Sequence, residues 1–260
     1  MNIGFFGDSY IDIMLERYWN FPYTSWENKV MPEWFETVEE EKYTIWAARV
    51  CRELKLAPVT SGLGGTSQYH AIKTWQDFIS SNNNEIDIAV FNFTWDHRLY
   101  SPKKGWQHIL SSFVEKKDLE KIVGEVPDDI DDIRLGIDLY FRYLQSNEQS
   151  LFLHEQLIRW ILELPEKYPN IKFIFLPNTE VSREIAVRHF KNGVLVDFAF
   201  ETISLMEGER VGIDPFDYEK SGHLTNINHN RFKEKIKDII VNWTHHKDKI
   251  YPLDYNEFKI

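Results

Sequence analysis

Residues 1–9 read Met1-Asn2-Ile3-Gly4-Phe5-Phe6-Gly7-Asp8-Ser9, and this stretch decides the class of fold. Ile3 to Phe6 is a short, wholly apolar run with no face turned to water, the pattern of a strand covered on both sides. It stops at Gly-Asp-Ser, residue types that turn a chain and cap a helix. A buried strand emptying into a polar turn is the opening unit of a parallel sheet. In such sheets ligands meet the loops at the carboxyl ends of the strands.

The unit recurs along the chain. A second strand is expected near Pro58–Ser61, a third over Ile86–Phe93, a fourth over Ile171–Leu176 and a weaker fifth over Val194–Phe198. Helical spacing places helices over Tyr43–Leu54, Gln68–Ile79, Leu151–Leu164 (closed by Pro165), Ser182–His189 and His229–Trp243. Tyr10 to Glu41 is irregular and aromatic, and a structureless stretch of that length in a compact domain implies short helical turns or a functional loop. Strands alternating with helices predict one α/β domain over residues 1–260 with a mostly parallel sheet. Residues 98–150 lack strand signals and are expected as a helical insertion, with Asp128-Asp129-Ile130-Asp131-Asp132 at a helix start, where carboxylates suit the macrodipole. Residues 244–260 read as a polar-aromatic tail.

Composition narrows the function classes. The 30 Lys and Arg against 41 Asp and Glu leave a net charge of −11, which works against nucleic acid and anionic lipid as partners. The one cysteine, Cys51, excludes an intramolecular disulfide and any multi-cysteine metal site, and its apolar helical face reads as burial. The start carries no basic segment followed by a long apolar one, and no run approaches the ~18–20 apolar residues of a membrane span. The expectation is therefore no membrane, with the compartment cytoplasmic or open. No cofactor or metal is expected: His245-His246 and His229 lack a carboxylate partner at ligand spacing, and the aspartates of 128–132 lack the spacing and glycine of a calcium loop. The chain carries 9 Trp. Those in the irregular segment (Trp19, Trp26, Trp34) suit either core packing or stacking on sugar rings.

Three loops after strands carry the candidate chemistry: Gly7-Asp8-Ser9, Gly62-Leu63-Gly64-Gly65-Thr66-Ser67, and Thr94-Trp95-Asp96-His97-Arg98. A serine on a sharp turn is a nucleophile if a base takes its proton and donors hold the oxyanion. The base candidate is His223, in Ser221-Gly222-His223-Leu224-Thr225 ahead of Asn228-His229 and the last helix. Taken alone, Gly-Asp-Ser also reads as a strand-to-helix turn with a cap. A phosphate cradle at Gly62–Ser67 lacks both the P-loop lysine and the dinucleotide fingerprint.

Together the blocks resemble the SGNH (GDSL-type) hydrolase family. Gly7-Asp8-Ser9-Tyr10 matches its first block with Tyr in place of Leu. Gly62–Ser67 is similar to the second, and His223-Leu224-Thr225 with Asn228-His229 to the last. The resemblance implies a three-layer α/β/α, flavodoxin-like fold and a serine ester hydrolase. In that reading Ser9 is the nucleophile, His223 the base, Ser9 and Gly65 N–H the backbone oxyanion donors, and Asp8 the support of the turn. The expected substrate is a small-molecule or carbohydrate ester, with acyl or acetyl groups removed. Two blocks depart from the family. Asp96 stands where an asparagine donor is usual, and an ionised carboxylate cannot donate, although Arg98 nearby can. Lys220 stands three residues before His223 where an aspartate is usual, leaving Asp217 or Glu219 to orient the imidazole, or a Ser9–His223 dyad. The alternative reading is a catalytically degenerate module of the same fold that binds glycan or a protein partner.

Overall fold

The opening run forms β1 (Asn2–Phe6), and strands and helices follow it along the chain. The structure is a computed structural model describing residues 1–8, 11, 45–62, 67–81, 85–94, 99–101, 106–109, 135–136, 139–206, 224 and 226–258. After β1 come α1 (Trp46–Leu54), β2 (Ala57–Thr60), α2 (Gln68–Ser80) and β3 (Ile88–Phe93). A ribbon of β4 (Leu99–Ser101) and β5 (Trp106–Ile109) leads to a π-helical turn (Tyr140–Leu144), α3 (Asn147–Leu162) and the short α4 (Leu164–Lys167). The chain closes with β6 (Lys172–Pro177), α5 (Glu180–His189), β7 (Val194–Asp197), α6 (Phe200–Met206), α7 (Asn226–Val241), α8 (Trp243–His246) and β8 (Lys249–Pro252), then a 3-10 turn, Tyr255–Phe258.

Among the described residues six strands make one sheet in the order β2-β1-β3-β6-β7-β8, every neighbouring pair parallel. Side-chain alternation divides the apolar residues between two cores. Ile3, Phe5, Ile88, Val90, Ile174, Leu176, Val194 and Val196 pack with α1, α6 and α7 on one face. Phe6, Ala89, Phe91, Phe93, Phe173, Phe175 and Leu195 pack with α2, α3 and α5 on the other. All six residues of β3 are buried, which is why its sequence is nearly continuous apolar. Part of the aromatic excess is spent here. Phe6 stacks on Phe91 at 4.9 Å, Trp75 meets Phe6 edge-on at 5.3 Å, and Trp46 meets Phe232 at 4.9 Å. Each fully buried ring of this kind contributes roughly 2 kcal/mol of transfer free energy.

Local chemistry sets the helix ends. Ser67, Ser146 and Thr179 cap α2, α3 and α5 by accepting the N–H groups of His70, Gln149 and Ser182. The Ser146 cap starts α3 at Asn147, ahead of the expected Leu151, and Pro165 opens the separate turn α4 instead of ending a longer helix. α6 was not expected from the sequence.

Two expectations about organisation are corrected. Residues 98–150, expected as a helical insertion, begin with an antiparallel ribbon in which Leu99 pairs with Ile109 and Ser101 with Trp106. The intervening Pro102-Lys103-Lys104-Gly105 carries turn formers at both ends. Residues 244–260, read as a tail, supply the sixth strand and a buried anchor, Phe258. The return is made at Asp248, whose φ of 61° turns the chain, while its N–H reaches the Gly193 carbonyl at 2.6 Å and its carboxylate takes the Gly193 N–H at 3.0 Å. No helix among the described residues is long and apolar enough to cross a membrane.

Candidate functional site

The chain places β2 on one side of β1 and then crosses to lay β3 on the other. Loops leaving β1 and β3 at their carboxyl ends therefore part in opposite directions, and a crevice opens there in sheets of this kind. The two exits are in close contact. A Cβ on Gly7 would lie 2.8 Å from the Asn92 Cβ, so only glycine lets β1 leave this close to β3. The exit of β2 closes in from the other side: a Cβ on Gly62 would sit 2.6 Å from the Asp8 carbonyl oxygen. Ile11 N–H donates to that Asp8 carbonyl at 3.2 Å, and the Ile11 carbonyl accepts Gly62 N–H at 3.2 Å.

Asp8 is fully buried at this point, and its Oδ2 accepts the side-chain amide of Asn178 at 2.9 Å. Asn178, also fully buried, is itself held on both backbone atoms. Its N–H donates to the Phe93 carbonyl at 3.0 Å, and its carbonyl accepts the Glu201 N–H at the start of α6 at 2.9 Å. One asparagine thus joins the ends of β3 and β6 to α6 and presents its amide to the acid of Gly-Asp-Ser. Its Oδ1 is buried and has no hydrogen-bond partner among the described residues. Asn92 behaves alike: its amide donates to the Leu176 carbonyl at 3.0 Å and its Oδ1 is left over.

A second polar group lies where β3 ends. Gln68, the first residue of α2, accepts the Thr94 N–H on Oε1 at 2.9 Å. The Thr94 carbonyl accepts the Ser182 hydroxyl at 3.2 Å, and the Ser182 oxygen lies 2.9 Å from both His154 Nε2 and Thr179 Oγ1. This serine–histidine contact has the spacing of a nucleophile and base. Both residues are buried, however, and the serine proton is directed to a backbone carbonyl. The arrangement ties α3 and α5 to the end of β3.

Of the residues singled out from the sequence, Asp8 is described and lies buried at the carboxyl end of β1. Ser9, Gly65, Asp96, Arg98, Asp217, His223 and the flanking Lys220 lie outside the described residues, as do Trp19, Trp26, Trp34 and the aspartates of 128–132. Beyond His223, Leu224, Asn228 and His229 are all buried. The Asn228 amide donates to the Phe258 carbonyl at 2.9 Å, and His229 Nδ1 accepts the Trp46 N–H at 3.2 Å, so this part of the last block is anchored in the fold. His246 pairs with Asp238 at 2.9 Å beside Tyr251, and the described residues hold no group of three or more metal-ligating side chains. Cys51 is buried, which pushes its thiol up, away from the reactive thiolate. His70 is pulled down to about 4 by burial, opposed by the charge of Asp77, and so is neutral near pH 7.

Gln68 and Asn178 were not read from the sequence as site residues, and Asn92, inside the strand, reads as too early to be the third-block donor. A polar residue inside or directly after an all-apolar strand is the available signal, present in Phe91-Asn92-Phe93 and Leu176-Pro177-Asn178. Compared with protein-family models, curated proteins and solved structures, the chain finds no match.

Proposed function

We propose that the chain is a serine ester hydrolase of the SGNH type with a three-layer α/β/α, flavodoxin-like fold, and that it removes acyl groups, acetyl in the first instance, from a carbohydrate or other small ester. The observation that carries the reading is the buried Asp8, held by Asn178 at the carboxyl edge where the strand order reverses, with the chain running from it directly into Ser9. A turn fixed in this way suits a nucleophile that must meet a carbonyl carbon with little freedom.

In the mechanism, Ser9 Oγ forms a bond to the ester carbonyl carbon while its proton passes to His223. The carbonyl π pair moves onto oxygen and is held by the N–H groups of Ser9 and Gly65, with Arg98 as a charged neighbour and Asp96 in the asparagine position. The pair returns, the bond to the alcohol breaks, and His223 gives that oxygen its proton. Water repeats the sequence on the acyl-serine and releases the acid. Asp217 is the candidate to orient His223.

The test is hydrolysis of p-nitrophenyl acetate together with labelling by a fluorophosphonate. The expected result is turnover abolished in Ser9→Ala and one phosphonyl adduct mapped to Ser9. Turnover that survives Ser9→Ala overturns the reading. Absence of both turnover and labelling favours the binding module, the reading that Asp96 and Lys220 at two chemical positions support.

A further inference from the structure

We infer that the chain holds a second ligand site, apart from the crevice, which takes a flat aromatic carboxylate in a groove between α2, α3 and α4. The break between α3 and α4 builds it. Pro165 has no N–H to carry α3 onward, so that helix stops at Leu162 and α4 begins afresh at Leu164. Tyr168 closes α4, giving its N–H to the Leu164 carbonyl at 2.9 Å and accepting the Ile171 N–H at 3.1 Å. Its ring meets Trp75 of α2 edge to face at 5.4 Å. Lys167 lies over the Trp160 ring of α3, its Nζ 5.6 Å from the centroid. With Ile79 and Leu164 these side chains line an open cavity of about 320 Å³, enough for one or two fused rings. α2 and α3 end here and β6 begins soon after Tyr168, so in a parallel sheet this is the amino edge, opposite the edge that holds Asp8.

The lining sets the chemistry of the occupant. Trp75 is 1% exposed and belongs to the floor, while Trp160 and Tyr168 are half-buried and offer ring surface to a guest. Aromatic walls favour a flat ring, which gains from offset stacking and edge-to-face contact. Lys167 adds one positive charge at the rim. Among the described residues it pairs with the Glu163 carboxylate at 4.0 Å, and both side chains are 52% exposed, so this contact holds the ammonium weakly. A carboxylate on a ring seated beside Trp160 takes a charge-assisted hydrogen bond from the same ammonium. Neutral hydrogen-bonding groups are fewer. The Ser80 hydroxyl gives its proton to the Gln76 and Asp77 carbonyls at 2.8 and 3.1 Å, within its own helix. A sugar, with hydroxyls all round its ring, finds less to hold it here than an aryl acid does.

The test titrates the full chain with naphthoate, with naphthamide (the same rings without the charge) and with methyl glucoside, by calorimetry and ligand-observed NMR. Naphthoate is expected to bind with a Kd of about 0.1–1 mM, the range open to a ligand of its size, and naphthamide about 5-fold more weakly. Lys167→Met keeps the apolar stem and is expected to weaken naphthoate about 5-fold while leaving naphthamide unchanged. Trp160→Leu is expected to weaken both about 10-fold. If Trp160→Leu does not fold, the two ligands on Lys167→Met, an exposed position, decide the matter. No binding of naphthoate up to about 10 mM overturns the inference. So does equal affinity for naphthoate and naphthamide, an unchanged naphthoate Kd in Lys167→Met, or tighter binding of methyl glucoside. Ser9→Ala is expected to bind naphthoate as wild type does, so the serine-hydrolase reading can fail while this site stands; loss of binding in that variant overturns the placement of the site.

Discussion

His229 Nδ1 accepts the backbone N–H of Trp46 at 3.2 Å, so a side chain of α7 caps the first turn of α1 across 183 positions of sequence. Ile45, at the N-cap of α1, offers no side-chain acceptor of its own. Accepting through Nδ1 leaves the neutral ring's proton on Nε2. The capping histidine therefore joins two helices on the same face of the sheet, where Trp46 also packs on Phe232.

His229→Ala is predicted to leave the Trp46 N–H buried without this acceptor and to open space at the α1–α7 contact. The cost expected is about 2–3 kcal/mol, a fall in Tm of roughly 4–10 °C for a chain of this size. Differential scanning calorimetry checks it. An unchanged Tm would mean that the hydrogen bond adds nothing to stability.

Asn178→Ala removes the amide that Asp8 Oδ2 accepts. On the proposed hydrolase reading Asp8 then loses one restraint ahead of Ser9, and kcat for an activated ester is predicted to fall about 10- to 100-fold with a smaller change in KM. Asn178→Asp places a second carboxylate against Asp8 and favours keeping one proton between them. Its activity relative to wild type is predicted to rise on acidification, whereas that of Asn178→Ala is not. Parallel pH profiles for the two variants would refute the pairing as a positioning device.

His70 makes folding stability depend on pH. The unfolded imidazole takes up its proton near its ordinary value of 6.5, while burial holds the folded one neutral down to about 4. Between those values the unfolded chain binds more protons, so stability is lost as pH falls through that window, by up to about 3 kcal/mol. Urea titrations at pH 7 and 4.5 are predicted to show a larger loss for wild type than for His70→Gln. Equal losses would assign the acid sensitivity elsewhere.

Truncation after Asp248 removes β8 and the 3-10 turn, and with them the Tyr255 hydroxyl that receives the Ala199 N–H at 2.8 Å and the Phe258 carbonyl that receives the Asn228 amide. It also strips the pairing edge of β7, exposing strand backbone to other chains. The shortened protein is predicted to aggregate or to lose cooperative unfolding. Size-exclusion chromatography finding a stable monomer with wild-type Tm would contradict this.

Much of the sheet was legible because its signal is local. Phe5-Phe6, Ala89-Val90-Phe91 and Phe173-Ile174-Phe175 are apolar on both faces, and strands with that pattern belong between layers of helix. Gly7 and Gly62 were legible as turn residues, though the atoms they make room for, at Asn92 and Asp8, were not. β8 escaped notice because Lys249-Ile250-Tyr251-Pro252 is short, polar at its start and closed by proline; its strand conformation depends on the β7 edge beside it.

The amino-acid sequence alone determined the buried strands, the longer helices and the glycine-marked exits, because periodicity and turn chemistry act over a few residues. Only the tertiary structure decided that Asn178 meets Asp8 across 170 positions, that Gln68 turns its oxygen to Thr94, and that His229 caps a distant helix. A hydrogen bond between residues so far apart leaves no local pattern. It exists once the sheet order has brought those strand ends and helix starts to one edge.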